Sequence, residues 1–212
     1  MGAGMQGGFV KTAIIICARW QSERLPGKML MDIEGKPMLM RIVERCRQSK
    51  LADDVIVATT PSSTPIVDYC IKTGIPCFIG SENDILSRLY ETAVEHKLDV
   101  VVRVWGDCPL IDPEIIDRVI QFREDGQYDY AYNIGWPVGQ TVAVLPFSTL
   151  FRVNKDLKSS KDREWLHVYF TNCDYNIGVL KNETDQSHKR MVVDNLNDLE
   201  KVRKIYASKR DN

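Results

Sequence analysis

The 212 residues have almost no surplus of charge of either sign: 28 Lys and Arg face 29 Asp and Glu, for a formal net charge of −1. That balance excludes a bulk electrostatic grip on nucleic acid or an anionic membrane, so any anion site must be local. Long hydrophobic runs are missing too. The longest, Ala13 to Ala18, is far too short to span a bilayer, and the N-terminal residues contain no extended apolar stretch of the signal-peptide kind. The six cysteines (Cys17, Cys46, Cys70, Cys77, Cys108, Cys173) form no C-x-x-C pair and the three histidines lie far apart, so zinc spacing is absent. A reducing, cytoplasmic setting fits that usage. Internal repeats and low-complexity linkers are also lacking. With 44% hydrophobic and 27% charged residues, the chain has the composition of an ordinary folded domain. Residues 1–10 read as a flexible leader, with Gln6 standing where a myristoylation signal needs Ser or Thr. Residues 11–212 read as a single domain.

Thr12 to Ala18 is a continuous β-branched run without alternation, the pattern of a strand buried on both faces of a parallel sheet. A polar loop, Arg19 to Lys28, follows it. The spacing of Met38, Ile42, Val43 and Cys46 predicts a helix over Lys36 to Gln48, with Pro37 in its first turn. Asp54 to Ala58 repeats the buried-strand pattern, then a helix over Pro65 to Lys72 ends at Gly74, and Pro76 to Ile79 forms a short strand. Asn83 or Asp84 caps a helix reaching His96. Asp99 to Val104 is a further buried strand ending at Trp105-Gly106-Asp107, and Asp112-Pro113-Glu114 opens another helix. This alternation predicts an α/β fold with a mostly parallel central sheet flanked by helices. After residue 126 the pattern changes to shorter strands (Tyr128 to Asn133, Gln140 to Leu145, Asp174 to Leu180) and helices near Phe147 to Val153 and Lys161 to Thr171. The region of about 126–185 therefore reads as a small inserted subdomain. Asn197 is expected to cap a final helix carrying Leu199, Val202, Ile205 and Tyr206.

Ligands of an open parallel sheet lie beyond the carboxyl ends of its strands, which puts the loop Arg19 to Lys28 and the tip Trp105 to Pro109 in one crevice. Arg19, Arg24 and Lys28 place three cations in ten residues, which suits a polyphosphate and is equally the pattern of a solvated surface loop. The loop lacks G-x-x-x-x-G-K-[ST] and G-x-G-x-x-G, so neither a Walker-type phosphate loop nor a dinucleotide fingerprint follows the first strand. Asp107 ends one buried strand and reads either as a turn former or as a ligand. A second strand-end acid, Asp194 after Met191-Val192-Val193, favours the ligand reading. Magnesium takes one or two carboxylates together with phosphate oxygens, so the set suggests a magnesium–triphosphate site.

Cys17-Ala18-Arg19-Trp20-Gln21-Ser22-Glu23-Arg24-Leu25-Pro26-Gly27-Lys28, followed by Gly35-Lys36-Pro37-Met38-Leu39, resembles the opening of the bacterial cytidylyltransferases that make CMP-sugars. The likeness is strongest to the branch of the spore coat polysaccharide biosynthesis protein F type, and more distant to the 3-deoxy-manno-octulosonate and acylneuraminate cytidylyltransferases. It continues through Asp84-Ile85-Leu86-Ser87-Arg88, Arg103 to Asp112, Asp162-Arg163-Glu164 and Val193 to Leu199, covering about residues 11–207. The resemblance implies a Rossmann-like nucleotidyltransferase fold, CTP and a small acceptor as substrates, Mg2+ as cofactor, and a homodimer joined through the 126–185 subdomain. Carried over residue by residue, it implies that Ala18, Arg19, Ser22, Arg24, Lys28, Gly106 and Asp107 bind nucleotide. Arg19, Arg24, Lys28 and Asp107 serve catalysis, and Asp107 and Asp194 bind metal. Arg88 and Arg103 belong near the nucleotide or to structural ion pairs.

Two departures bear on the acceptor. Relatives of the nearest branch carry Pro-x-Gly-x-Asp-x-Glu in the segment facing it, whereas this chain reads Pro137-Val138-Gly139-Gln140-Thr141-Val142-Ala143, with both acids replaced. Arg-Glu-His-Val-Thr becomes Arg163-Glu164-Trp165-Leu166-His167. The acceptor residues implied are Trp136, Gly139, Thr141, Arg163, Glu164 and His167, and the loss of two carboxylates favours a more anionic or less hydroxylated acceptor. Trp136 and Trp165 serve either recognition or packing, and Trp105 either stacks on a base or plugs the crevice. The competing expectations are the same fold with another nucleotide, and a non-catalytic nucleotide-binding relative.

Overall fold

The structure, a computed structural model, describes residues 9–159, 163, 169–170 and 174–208. All six residues of β1 (Thr12–Cys17) are buried, because this β-branched strand lies at the centre of a sheet covered on both faces. It pairs in parallel with β4 (Asp54–Thr59) on one side and β6 (Val100–Trp105) on the other, and β5 (Cys77–Ile79) adds a parallel edge next to β4. Beyond β6 the sheet continues through β8 (Ala143–Pro146), β7 (Tyr130–Ile134) and β9 (Ile177–Lys181), in the order β5-β4-β1-β6-β8-β7-β9. Among the described strands only β8 runs against its neighbours in this sheet, so the sheet is mixed but mostly parallel. The three strands of the 126–185 region thus extend the central sheet.

Helices α1 (Met38–Cys46), α2 (Thr64–Thr73), α4 (Pro113–Gly126) and α6 (Leu196–Ser208) cover one face of the sheet, and α3 (Ile85–Glu95) and α5 (Phe147–Asp156) the other. Helix α1 shows why these segments fold as they do: Met38, Leu39, Ile42, Val43 and Cys46 form one apolar stripe, fully buried against β1 and β6 neighbours. The caps follow the same chemistry. Asp84 accepts from the Ser87 N–H at 2.9 Å, Asp112 accepts from the Glu114 N–H at 3.1 Å, and Gly74 ends α2 in the left-handed region.

Several boundaries differ from the sequence expectation: β7, β8 and β9 start two to three residues later than expected, and two helix starts move. Lys36–Pro37 is a short strand, β3, paired antiparallel with β2 (Asp32–Ile33), and α1 begins only at Met38. The reason is the Glu34-Gly35 turn, with φ of 51° and 83°, which closes a two-residue hairpin before the helix can start. Helix α6 begins at Leu196, and its cap is Asn195, which accepts from the Asp198 N–H at 3.0 Å; Asn197 lies inside the helix. Most of the helix expected over Lys161 to Thr171 lies outside the described residues. None of the described helices is long and apolar enough to cross a membrane.

Candidate functional site

At the carboxyl end of β6 the chain turns through Gly106 to Ile111, and the backbone of this tip is tied down on several sides. The Gly106 N–H donates to the Cys17 carbonyl at 2.9 Å, and the Val193 N–H donates to the Asp107 carbonyl at 2.9 Å. The Pro109 carbonyl accepts the Tyr206 hydroxyl at 2.6 Å, the Leu110 carbonyl accepts the Gln140 amide at 2.7 Å, and the Ile111 carbonyl accepts the Arg45 guanidinium. Gly106 is required for this packing, since a Cβ there would stand 2.7 Å from the Cys17 carbonyl oxygen.

The loop after β1 is anchored against the same end of the sheet. Ala18, buried, donates its N–H to Ala58 O at 3.1 Å, and the Trp20 N–H donates to Ser63 Oγ at 2.9 Å. Leu25 is buried, and Gly27 takes the left-handed conformation (φ 72°) that turns the chain into a single 3-10 turn, Lys28–Leu30. Its Cα hydrogen faces the Trp20 ring, which would lie 3.0 Å from a Cβ. This turn aims Lys28 inward while Arg19 and Arg24 stay exposed.

Lys28 Nζ donates to the Val193 carbonyl at 2.7 Å and lies 3.5 Å from Asp194 Oδ1 and 3.7 Å from Asp107 Oδ2. The two strand-end aspartates, 87 positions apart in sequence, therefore share one ammonium group. Arg24 Nη2 reaches Asp194 Oδ1 at 3.0 Å. Arg190 bonds the other Asp194 oxygen, and also Asp198 at 3.2 Å. Three cations (Arg24, Lys28, Arg190) thus balance three carboxylates (Asp107, Asp194, Asp198). Burial pushes the Asp198 carboxyl up, but hydrogen bonds from Arg190 and the Asp194 N–H outweigh it and hold the group below its ordinary range. Burial, reinforced by the neighbouring Asp107 charge, keeps the Cys108 thiol well above its ordinary range, so it stays protonated and donates to Asp107 Oδ1 at 3.3 Å.

The expected residues divide into those brought together and those placed elsewhere. Arg24, Lys28, Asp107 and Asp194 form the cluster, with Ala18, Gly106 and half-buried Ser22 on the loops that frame it. Arg88 is 3% exposed and donates to the Ser81 carbonyl through Nε and Nη2 at 3.0 and 2.8 Å, a structural tie within the β5–α3 loop. Arg103, on β6, is buried on the opposite face of the sheet from Lys28, with its guanidinium 4.6 Å from the Trp105 ring. Trp105 therefore stacks on a cation of its own strand. Arg163 is engaged by Asp84 Oδ2 at 2.6 Å and by Asn154 and Leu157, joining the start of α3 to the end of α5. Trp136 stands 5.3 Å from the Arg118 guanidinium beside a cleft of about 270 Å³. Gly139, with φ 98°, packs on the Met191 carbonyl, and Thr141 is exposed. Glu164, Trp165 and His167 lie outside the described residues.

Three residues of the site escaped the sequence reading. Arg190 stands four positions before Asp194, where the sequence offered a basic pair, Lys189-Arg190, next to the strand-end motif. Cys108 directly follows Asp107 within the matched stretch Arg103 to Asp112, but the cysteine spacing alone gave it no role. Gln140 read as the start of a strand in the acceptor-facing segment, yet its buried amide spans the tip, donating to Leu110 O and accepting from the Asp112 N–H at 2.8 Å.

A family profile described as Cytidylyltransferase matches residues 13–210. An uncharacterized protein of Methanocaldococcus jannaschii is 35% identical over 157 residues, 73% of this chain and 65% of its own, so the chain spans less than two thirds of that relative. The spore coat polysaccharide biosynthesis protein SpsF of Bacillus subtilis is 31% identical over 91% of this chain and 85% of its own. Among solved structures, a cytidylyltransferase from Leptospira borgpetersenii superposes with a TM-score of 0.87 at 27% identity, over 94% of this chain and 88% of that one.

Proposed function

Because this chain belongs to the cytidylyltransferase family, we propose that it transfers CMP from CTP to a small anionic acceptor such as a sugar acid, releasing pyrophosphate, in surface-polysaccharide or related biosynthesis. The branch we favour is that of the spore coat polysaccharide protein, on the strength of a likeness that runs over 91% of the chain. The observation that carries the reading is the convergence of Asp107 and Asp194 on the Lys28 ammonium, with Arg24 beside them.

In this reaction an acceptor oxygen attacks the α-phosphorus. The new P–O bond forms as the bond to the bridging oxygen breaks, and that electron pair departs with pyrophosphate. Little covalent work falls to the protein, so what it must supply is position and positive charge. Arg19, Ser22, Arg24 and Lys28 hold the triphosphate; Lys28, anchored on the Val193 carbonyl, is already oriented, the exposed Arg19 closes on phosphate oxygens, and Arg24 exchanges its Asp194 contact for them. Fixed donors of this kind also stabilise the departing pyrophosphate. Two carboxylates converging on one cation are a donor set suited to a hard divalent ion, so Asp107 and Asp194 are the residues that would hold Mg2+, with phosphate oxygens or water completing its shell. When bound, that ion supplies charge neutralisation at the phosphate oxygens. The Cys108 thiol and Arg190 orient the two carboxylates. The chain acts as a homodimer joined through the 126–185 region, where Ile134 and Phe151 leave 41% and 48% of their surface exposed.

The test is pyrophosphate release from CTP and Mg2+ with a panel of sugar acids, sugar phosphates and phosphonates. The expected result is acceptor-dependent release, and silence across the whole panel counts against catalysis. Thermal shift with CTP, UTP, ATP and GTP reads the base preference separately, because a bound ligand raises stability with occupancy. Binding of CTP without turnover by any acceptor would assign the chain to the non-catalytic reading.

A further inference from the structure

Arg103 is 5% exposed, and among the described residues its Nε and Nη1 have no hydrogen-bond partner; the hydroxyl of Tyr130, 1% exposed, faces this guanidinium and has no other partner. Among the described residues no carboxylate pairs with this guanidinium. A buried charge without a counter-ion is destabilising, and an orphaned buried donor in a folded protein calls for an explanation. The sheet register supplies one. Arg103 lies directly across from Ala143 on β8, and Ala143 directly across from Tyr132 on β7, so these side chains share one face with Tyr130. Position 143 carries no charge. With alanine there, the strand facing Arg103 offers a methyl group where a carboxylate would neutralise it.

The guanidinium lies over the ring of Trp105, two residues further along β6, so the side chain runs toward the ligand end of the sheet. It does so on the α3 and α5 face, whereas Lys28, Asp107 and Asp194 gather on the other. Burial holds the Tyr130 phenol above its ordinary range, although the Arg103 charge pulls the other way, so the hydroxyl stays protonated and can donate.

We propose that Arg103 and Tyr130 form the seat for the anionic group of the acceptor, opened by the alanine at position 143, and that Arg103 does not serve the nucleotide. The word acceptor rests on the transferase reading above; the anion seat itself does not. A fixed guanidinium beside a hydroxyl donor suits an oxyanion with two or more oxygens, a chemistry that carboxylates and phosphates share.

The experiment uses the full chain and reads thermal shift and calorimetric affinity. The probes are N-acetylneuraminate, 3-deoxy-manno-octulosonate, glucuronate and glucose 6-phosphate, each with and without CTP and Mg2+, with N-acetylglucosamine and glucose as neutral controls. The expected result is that at least one anionic sugar binds the wild type while the neutral sugars do not, the acid and phosphate arms telling which oxyanion is preferred. Arg103→Met should weaken that binding at least tenfold, change CTP affinity less than twofold, and raise the melting temperature of the ligand-free protein by removing an uncompensated charge. Ala143→Glu should do the same by supplying the missing carboxylate from within. Should these two variants fail to fold, Tyr130→Phe carries the test, with a smaller loss of anion affinity and unchanged CTP binding. The proposal is overturned if no anionic sugar binds, if Arg103→Met weakens CTP and spares the sugars, or if it lowers the melting temperature and leaves both affinities unchanged. CTP binding is scored on its own, so a failure of the nucleotide reading is visible separately from a failure of the seat.

Discussion

Strand β6 and the turn that follows it carry two groups of charge on opposite faces of the sheet, and the two are built on opposite principles. Around Asp107, three cations and three carboxylates neutralise one another, and most of the side chains have more than one partner. Around Arg103, a buried cation has an aromatic ring and a second orphaned donor for company but no carboxylate among the described residues. The first group is assembled before any ligand arrives, and binding exchanges one set of charge contacts for another. The second is incomplete as folded. The contrast teaches that a self-compensated cluster and a bare buried charge call for different ligands: the former a charged complex that brings its own cation, the latter a simple anion.

The comparison can be broken first at Asp107. Asp107→Asn keeps the shape and the Cys108 contact but removes the charge that faces Lys28. Turnover of CTP, read as pyrophosphate release, should fall by about 10³-fold, the scale of losing several kcal/mol of transition-state charge stabilisation. Retention of full turnover would detach the first cluster from the chemistry.

Lys28→Ala comes next. Calorimetry should show CTP affinity reduced by about 10- to 100-fold, as expected for a hydrogen bond to a charged group, with CMP affinity changed no more than about twofold. Equal losses for CTP and CMP would take Lys28 away from the β- and γ-phosphates. Stability sharpens the contrast: removing Lys28 leaves Asp107 and Asp194 facing each other and should lower the melting temperature, whereas removing the Arg103 charge should raise it.

The smallest effect belongs to Arg190→Gln, which loosens Asp194 without touching substrate. The magnesium concentration for half-maximal turnover should rise by about tenfold, in the range seen when an outer partner of a metal ligand is lost. The same variant alters acid stability. Asp198 has a depressed carboxyl in the folded chain, so its contribution is present above the unfolded Asp range near 3.9 and is lost as pH falls through the lower folded value. Arg190 supplies much of that depression, so Arg190→Gln should move the acid-unfolding midpoint to higher pH. An unchanged acid midpoint would show that the pair contributes little there.

The sequence made the central strands easy to read, because β1, β4 and β6 are covered on both faces and leave uninterrupted β-branched runs. The start of α1 was harder, since Lys36-Pro37 fits a helix entrance equally well, and only the positive φ at Glu34 and Gly35 turns it into a hairpin strand. The region of about 126–185 read as a small inserted subdomain because its strands are short, and in the structure those strands join the central sheet through β8 beside β6. In the site, Lys28, Asp107 and Asp194 were legible because each ends or begins an element whose pattern is strong. Arg190, Cys108 and Gln140 were not, because their partners are set by where distant loops cross. Arg88, expected near the nucleotide or in a structural ion pair, spends its guanidinium on backbone carbonyls, and Arg163, expected at the acceptor, engages Asp84 and the Asn154 and Leu157 carbonyls. The bare state of Arg103 could not be read at all until the register placed Ala143 opposite it.

Whether Asp107 and Asp194 hold the metal beside a bound triphosphate is read from an anomalous difference map of crystals of the full chain grown with CTP and Mn2+ in place of Mg2+. The expected peak is coordinated by carboxylate oxygens of both Asp107 and Asp194, with Lys28 on the β- or γ-phosphate and Arg103 untouched by the nucleotide. A peak held by the phosphates alone, with Lys28 still bridging the two aspartates, would contradict that placement of the metal.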